Sequence, residues 1–219
     1  MAGRLLAWAL AGLMVAGLMV AGLAKAQTPP AGFESVFNGK DFTGWAGDLA
    51  NYEVKDGNIV CKKGKGGVIF VQKEYGDFTA RVDYKLPPGG NNGLAIRYPG
   101  KGSASVDGMC EIQILDDSHP KYAKLDPRQF NGSSYGLIAA KKGYDKPVGQ
   151  WNTMEVTVKG TTMVVILNGQ KILDGDVKEV KSFMRKEPPK GLLSPRGYFG
   201  FCGHTDPVEF RNIYIKEIK

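Results

Sequence analysis

The sequence predicts an all-β protein built as a two-sheet antiparallel sandwich. Three observations predict it. Apolar and polar residues alternate with a period of two over many short runs, glycine and asparagine punctuate those runs, and helical periodicity is nearly absent. About a dozen such runs lie between Ser35 and Ile215, more than one open twisted sheet normally holds, so two stacked sheets are expected.

Each element has its own signature. In residues 78–86 the alternation puts Phe78, Ala80, Val82, Tyr84 and Leu86 on one face and polar residues on the other, as a half-buried antiparallel strand requires. The same period recurs at Leu94, at Met154, Val156 and Val158, at Val164, and at Phe199 and Phe201. Asn168-Gly169 between two apolar runs is a hairpin signal, because a tight two-residue turn needs positive φ at both positions. Two long loops interrupt the strands, at 116–133 and 174–196, the second rich in lysine and proline. Loops this long inside a compact domain are usually functional or mobile.

Composition bounds the class. The chain has 219 residues, 42% hydrophobic and 23% charged, with 30 glycines but no glycine period and no sustained heptad. That suits a single globular domain and excludes collagen-like, coiled-coil and wholly disordered chains. Residues 5–23 form an uncharged apolar run after Arg4, and Ala24-Lys25-Ala26 fits a small-x-small cleavage pattern, so residues 1–26 read as a signal peptide. The expectation is therefore a mature domain over 27–219, periplasmic or secreted, with no membrane segment after cleavage. An uncleaved anchor is the alternative, since the run approaches the length that spans a bilayer. The formal charge of +7 is spread along the chain without aromatic interleaving, which argues against a nucleic-acid partner. Cys61, Cys110 and Cys202 are odd in number, sit in strand-like runs and match no zinc spacing, so at least one is a free thiol.

The candidate site centres on Glu111 and Gln113. In residues 109–117 alternation sends Cys110, Ile112 and Ile114 to the core and turns Glu111 and Gln113 the other way, side by side. Asp116 joins them only if a bulge near Leu115 shifts the register. The turn Gly89-Gly90-Asn91-Asn92-Gly93 leads into a strand whose polar face carries Gly93, Ala95 and Arg97, a floor of small residues beside a cation. Arg97 either binds a polar ligand there or pairs with Glu111. Tyr135 follows the first long loop. His204 ends a strand, and its ordinary pKa suits a general base. Trp45, Trp151 and Tyr98 are candidate platforms for a sugar ring, against the commoner role of packing. The acidic loop Asp116-Asp117-Ser118-His119 leaves a divalent metal conceivable on weak spacing. Neither a nucleophile elbow nor a phosphate-binding glycine loop is present.

Several segments together resemble the 3-keto-disaccharide hydrolase family, whose fold is the concanavalin-like lectin and glucanase sandwich. They are Val36-Phe37-Asn38-Gly39-Lys40-Asp41-Phe42-Thr43-Gly44-Trp45, Asn92-Gly93-Leu94-Ala95-Ile96-Arg97, Glu111-Ile112-Gln113-Ile114-Leu115-Asp116, Gly149-Gln150-Trp151-Asn152, Leu167-Asn168-Gly169 and Val208-Glu209-Phe210-Arg211-Asn212-Ile213. Glu111, Gln113 and Asp116 are also similar to the E-x-D-x-x-E strand of glucanases with this sandwich, but glutamine replaces the middle acid and aspartate the last. Ordinary hydrolysis by two carboxylates is therefore disfavoured.

The resemblance implies an exported enzyme acting on 3-keto-glycosides, by hydrolysis or by β-elimination followed by hydration. It implies Glu111 or His204 as base, Arg97 and Gln113 on the carbonyl, and Asp116 or Tyr135 on the leaving group, with Trp151 as a sugar contact and a bound metal as an alternative to Arg97. A sugar-binding module without turnover is the competing expectation, since a fold does not fix a function.

Overall fold

Residues 28–219 are described by a computed structural model. The leader expected at 1–26 lies outside the described residues. The chain forms β1 (Glu34–Ser35), β2 (Trp45–Gly47), β3 (Tyr52–Lys55), β4 (Asn58–Cys61), β5 (Gly67–Tyr75), β6 (Phe78–Lys85) and β7 (Asn91–Tyr98). One helical turn, α1 (Ala104–Asp107), then precedes β8 (Cys110–Leu115). After the first long loop come β9 (Trp151–Lys159), β10 (Thr162–Leu167) and β11 (Gln170–Asp176). The second long loop leads to β12 (Gly197–Gly203) and β13 (Glu209–Glu217).

These strands make two antiparallel sheets. One has eight strands, ordered β11-β10-β9-β6-β13-β4-β3 with β1 also paired to β13, and the other has five, ordered β2-β5-β12-β7-β8. The predicted sandwich is thus the observed one. The hairpin at Asn168-Gly169 is also as expected: both residues have positive φ, at 51° and 85°, and Leu167 pairs with Gln170.

The core lies between the sheets. Val82, Tyr84, Met154, Val156 and Phe210 of the large sheet are fully buried, as are Leu94, Ile96, Ile112, Phe199 and Phe201 of the small one. Phe201 and Phe210 stack across the interface at 3.9 Å between ring centroids, and Trp45 stacks on the other side of the same cluster, 5.4 Å from Phe201. Trp45 also donates its indole N–H to Val36 O at 2.8 Å, so it is a core residue and not a sugar platform. All three cysteines are buried and unpaired. No described helix is long and apolar enough to cross a membrane.

Candidate active site

A cleft of about 370 Å³ opens on the outer face of the five-stranded sheet, within the size range of small-ligand pockets. Strand β8 supplies its centre. Continuous pairing of β8 with β7, from Asn91↔Leu115 to Ile96↔Cys110, keeps strict alternation, so Glu111, Gln113 and Leu115 face the cleft while Ile112 and Ile114 face the core. Gly93 makes room for the carboxyl, because a Cβ at that position would collide with Glu111.

Residues 132–135 run along the free edge of β8. Gln113 N–H donates to Ser133 O at 2.9 Å and Tyr135 N–H to Glu111 O at 2.8 Å, which covers the edge and sets Tyr135 beside Glu111. The Tyr135 hydroxyl accepts from the Gln129 amide at 3.0 Å, and Gln113 Nε2 donates to Asn91 Oδ1 at 3.0 Å. His204 stands exposed at the rim, where the crowding of protein around its ring lowers its pKa against the opposing pull of Asp206.

Glu111 is the unusual group. Its side chain is buried, and Oε1 makes no hydrogen bond. Burial pushes its pKa up to about 8, with the Ser105 hydroxyl and the Arg185 charge opposing only in part. A carboxyl that stays protonated through neutral pH and lines a cleft can donate a proton to a departing oxygen.

Arg185 is one of two residues in the cleft that sequence reasoning missed. It comes from the second long loop, whose length marked it as functional but in which no single residue stood out. The loop is tied down on both sides of Arg185. Met184 N–H donates to Gly136 O and Arg128 Nη1 to Ser182 O, while Lys190 N–H donates to Val106 O and its ammonium pairs with Asp107 at 2.7 Å. Ser105, also missed, reaches the site from α1, an element too short to leave a periodic signal.

Three expected site residues lie elsewhere. Arg97 has φ of +46°, and the pairing of β12 shifts register between Tyr198 and Gly200, which breaks the alternation that would have turned Arg97 into the cleft. Its guanidinium instead donates to the carbonyls of Gly76, Gly160 and Ser194 at 2.8–3.0 Å and pairs with Asp77 at 2.9 Å. It is a staple between chain turns, and its partner is not Glu111.

Asp116 follows β8 without the bulge it needed. Its Oδ2 accepts from Gly89 N–H at 2.7 Å and its Oδ1 from the Ser118 hydroxyl at 2.5 Å, so it fixes the glycine turn and lines a separate hollow. Burial works to raise its pKa, but these hydrogen bonds hold it below the ordinary carboxylate value. Trp151 lies on the outer face of the eight-stranded sheet, part of a different trough.

Of the other candidates, Tyr98 is buried with its hydroxyl donating to Gly102 O at 3.1 Å. His119 Nδ1 accepts from Lys121 N–H at 3.3 Å, at the start of a single helical turn. Among the described residues no three histidine, cysteine or carboxylate side chains converge as metal ligands.

Residues 32–216 match the family described as the 3-keto-alpha-glucoside-1,2-lyase-like domain. The chain belongs to that family. A relative from Bacteroides thetaiotaomicron named 3-keto-disaccharide hydrolase is 27% identical, over 84% of this chain and 78% of its own length. A crystal structure from Parabacteroides distasonis, provisionally assigned as a glycosyl hydrolase, is 27% identical with a TM-score of 0.75, covering 86% of this chain and 94% of that one. A Bacillus subtilis protein with a galectin-like fold superposes with a TM-score of 0.54 at 11% identity, covering 84% and 94%, and so shares the sandwich alone. The two-sheet antiparallel sandwich expected from the sequence is the architecture of the family member described here.

Proposed function

We propose that this family member is an exported enzyme that cleaves the glycosidic bond of 3-keto-glycosides in the Glu111 cleft. Family membership and the name of the Bacteroides thetaiotaomicron relative support the substrate class. The observation that carries the reading is the buried Glu111 carboxyl, held over Gly93 with its Oε1 unpartnered, in the lining of a cleft that also holds Arg185, Gln113, Tyr135 and His204.

The chemistry follows from the ketone. A C3 carbonyl acidifies the C2 proton, and His204, neutral at pH 7, takes it. The electron pair left on C2 delocalises to the C3 oxygen, where Arg185 and the Gln113 amide stabilise the enolate. That pair then returns to form the C1–C2 double bond as the C1–O bond breaks, and protonated Glu111 gives the departing oxygen its proton. Addition of water across the double bond, hydroxyl to C1 and hydrogen to C2, makes the net result hydrolysis. Release without that addition makes it a lyase reaction.

The role of Glu111 here is that of an acid. Its proton is retained until about pH 8, and this favours donation over the base role that its position in sequence also allowed. The test is release of free sugar from a 3-keto-disaccharide by the wild-type protein and by Glu111→Gln. Expected is turnover by the wild type and a loss of about 100-fold or more in the variant. Binding of the sugar by the wild type with no release overturns the enzymatic reading in favour of a sugar-binding module.

A further inference from the structure

Two residues in the wall of the Glu111 cleft are joined by a hydrogen bond that can run in only one direction. Gln129 and Tyr135, both half-buried, line the cleft, and Gln129 Nε2 donates to the Tyr135 hydroxyl at 3.0 Å. The oxygen and nitrogen of a side-chain amide can often exchange places, but here the backbone decides between them. Gln129 Oε1 accepts from Asp126 N–H at 3.2 Å, closing a capping box around the single turn Pro127–Gln129. A rotated amide would set its own N–H groups against that N–H, donor to donor. Asp126 is itself held, accepting from Arg128 N–H at 2.9 Å and pairing with the Arg128 guanidinium at 2.8 Å.

A phenol hydroxyl has one proton to give and lone pairs to accept with. Because Gln129 donates to it, the Tyr135 oxygen is an acceptor at that contact and its proton is left over. Among the described residues the Tyr135 hydroxyl donates to none. Tyr122, also in the cleft wall, is the contrast, since its hydroxyl donates to Gly89 O at 3.1 Å and its one proton is spent. Tyr135 also shares the wall of a small hollow beside the cleft with Ser105 and Arg185, which sets it on the same side as the cation of the site.

We propose that Gln129 is a positioning residue: it orients the Tyr135 hydroxyl so that its proton is donated to an oxygen of the bound sugar. This role rests on the reading of the cleft as the site of a 3-keto-glycoside, to which it adds a neutral donor and the group that sets its direction. Glutamate in place of Gln129 would close the same capping box, because a carboxylate also accepts the Asp126 N–H. A carboxylate has no proton for Tyr135, however, and draws the phenol proton to itself, away from the sugar.

Steady-state kinetics with a 3-keto-disaccharide test this, with titration calorimetry of the same sugar as the readout where it is bound without turnover. Gln129→Glu is expected to unfold at the wild-type midpoint and to lose about tenfold in kcat/KM, or in affinity, as the reversal of one hydrogen bond predicts. Gln129→Met fills the space but leaves Asp126 N–H without its acceptor and the phenol free to turn. It is expected to unfold earlier than Gln129→Glu and yet to lose less activity, whereas a role in capping alone predicts the reverse order. Tyr135→Phe is expected to lose about tenfold, and Gln129→Glu added to it is expected to cost nothing more. Wild-type behaviour of Gln129→Glu, a greater loss in Gln129→Met, or a loss that persists in the Tyr135→Phe background overturns the proposal and leaves the reading of the cleft standing. Binding by the wild type without turnover, with the same pattern of losses in affinity, upholds the proposal and overturns the enzymatic reading. A wild type that neither binds nor cleaves the sugar overturns both.

Discussion

Glu111 keeps its proton where an unfolded chain would release it, and this makes stability depend on pH in a definite direction. The native carboxyl titrates near pH 8 because it is buried, whereas its ordinary value is 4.5. Between those values the unfolded state binds fewer protons than the native state, so this group's contribution, fully present below pH 4.5, is lost as pH rises through 8. Urea unfolding at pH 5 and pH 9 is expected to show the wild type losing stability relative to Glu111→Gln across that window. An unchanged difference between the two proteins would mean that Glu111 is ionised in the native state. Arg97 makes the opposite kind of contribution. Its guanidinium satisfies three backbone carbonyls and Asp77, and truncation leaves those acceptors without their donor. Arg97→Ala is expected to cost about 3 kcal/mol in chemical denaturation, while the cleft, which it does not line, keeps its affinity for substrate in the protein that remains folded.

At the scale of elements, the site is made by two loops laid against one edge strand. The first loop covers β8 through residues 132–135, and Arg128 joins it to the second. Arg128 is paired with Asp126 at 2.8 Å and donates to Ser182 O at 3.0 Å, three residues before Arg185. The Asp126–Arg128 pair is partly exposed and adds little stability by itself. Its consequence is positional: removing Arg128 takes away one of the ties that hold the segment carrying Arg185, without disturbing the sandwich core. Arg128→Ala is expected to lower kcat/KM for the 3-keto-disaccharide about tenfold while moving Tm by no more than a few degrees. A Tm drop as large as that of Arg97→Ala, or unaltered kinetics, would show that the tether does not position Arg185.

For the whole molecule, the sandwich gives the chain two outer faces with different chemistry. One bears the Glu111 cleft and the other the Trp151 trough, and the core between them is closed by the Phe201–Phe210 stack. Export is the remaining expectation at this scale. Intact-mass measurement of the protein recovered from outside the cytoplasm is expected to show an N-terminus at Gln27, and retention of Met1–Ala26 on a membrane-bound form would replace the cleaved leader with an anchor.

The sequence by itself determined the sandwich, the Asn168-Gly169 hairpin and the shared face of Glu111 and Gln113. All three follow from local rules: a strand's side chains alternate, and a two-residue turn needs particular residues. Tertiary structure decided what stands around Glu111. Arg97 left the expected face because one left-handed residue and a shifted pairing reverse a side chain. Asp116 went to the glycine turn, where it accepts from Gly89 N–H, with its other oxygen taking the Ser118 hydroxyl of its own loop. Trp151 belongs to the other sheet, and residues of identical alternation in different strands do not reveal which sheet they join. Arg185 entered from a loop with no period to read, placed by hydrogen bonds to residues far away in the chain. Alternation states which side of a strand a residue takes; only packing states which other strand or loop lies on that side.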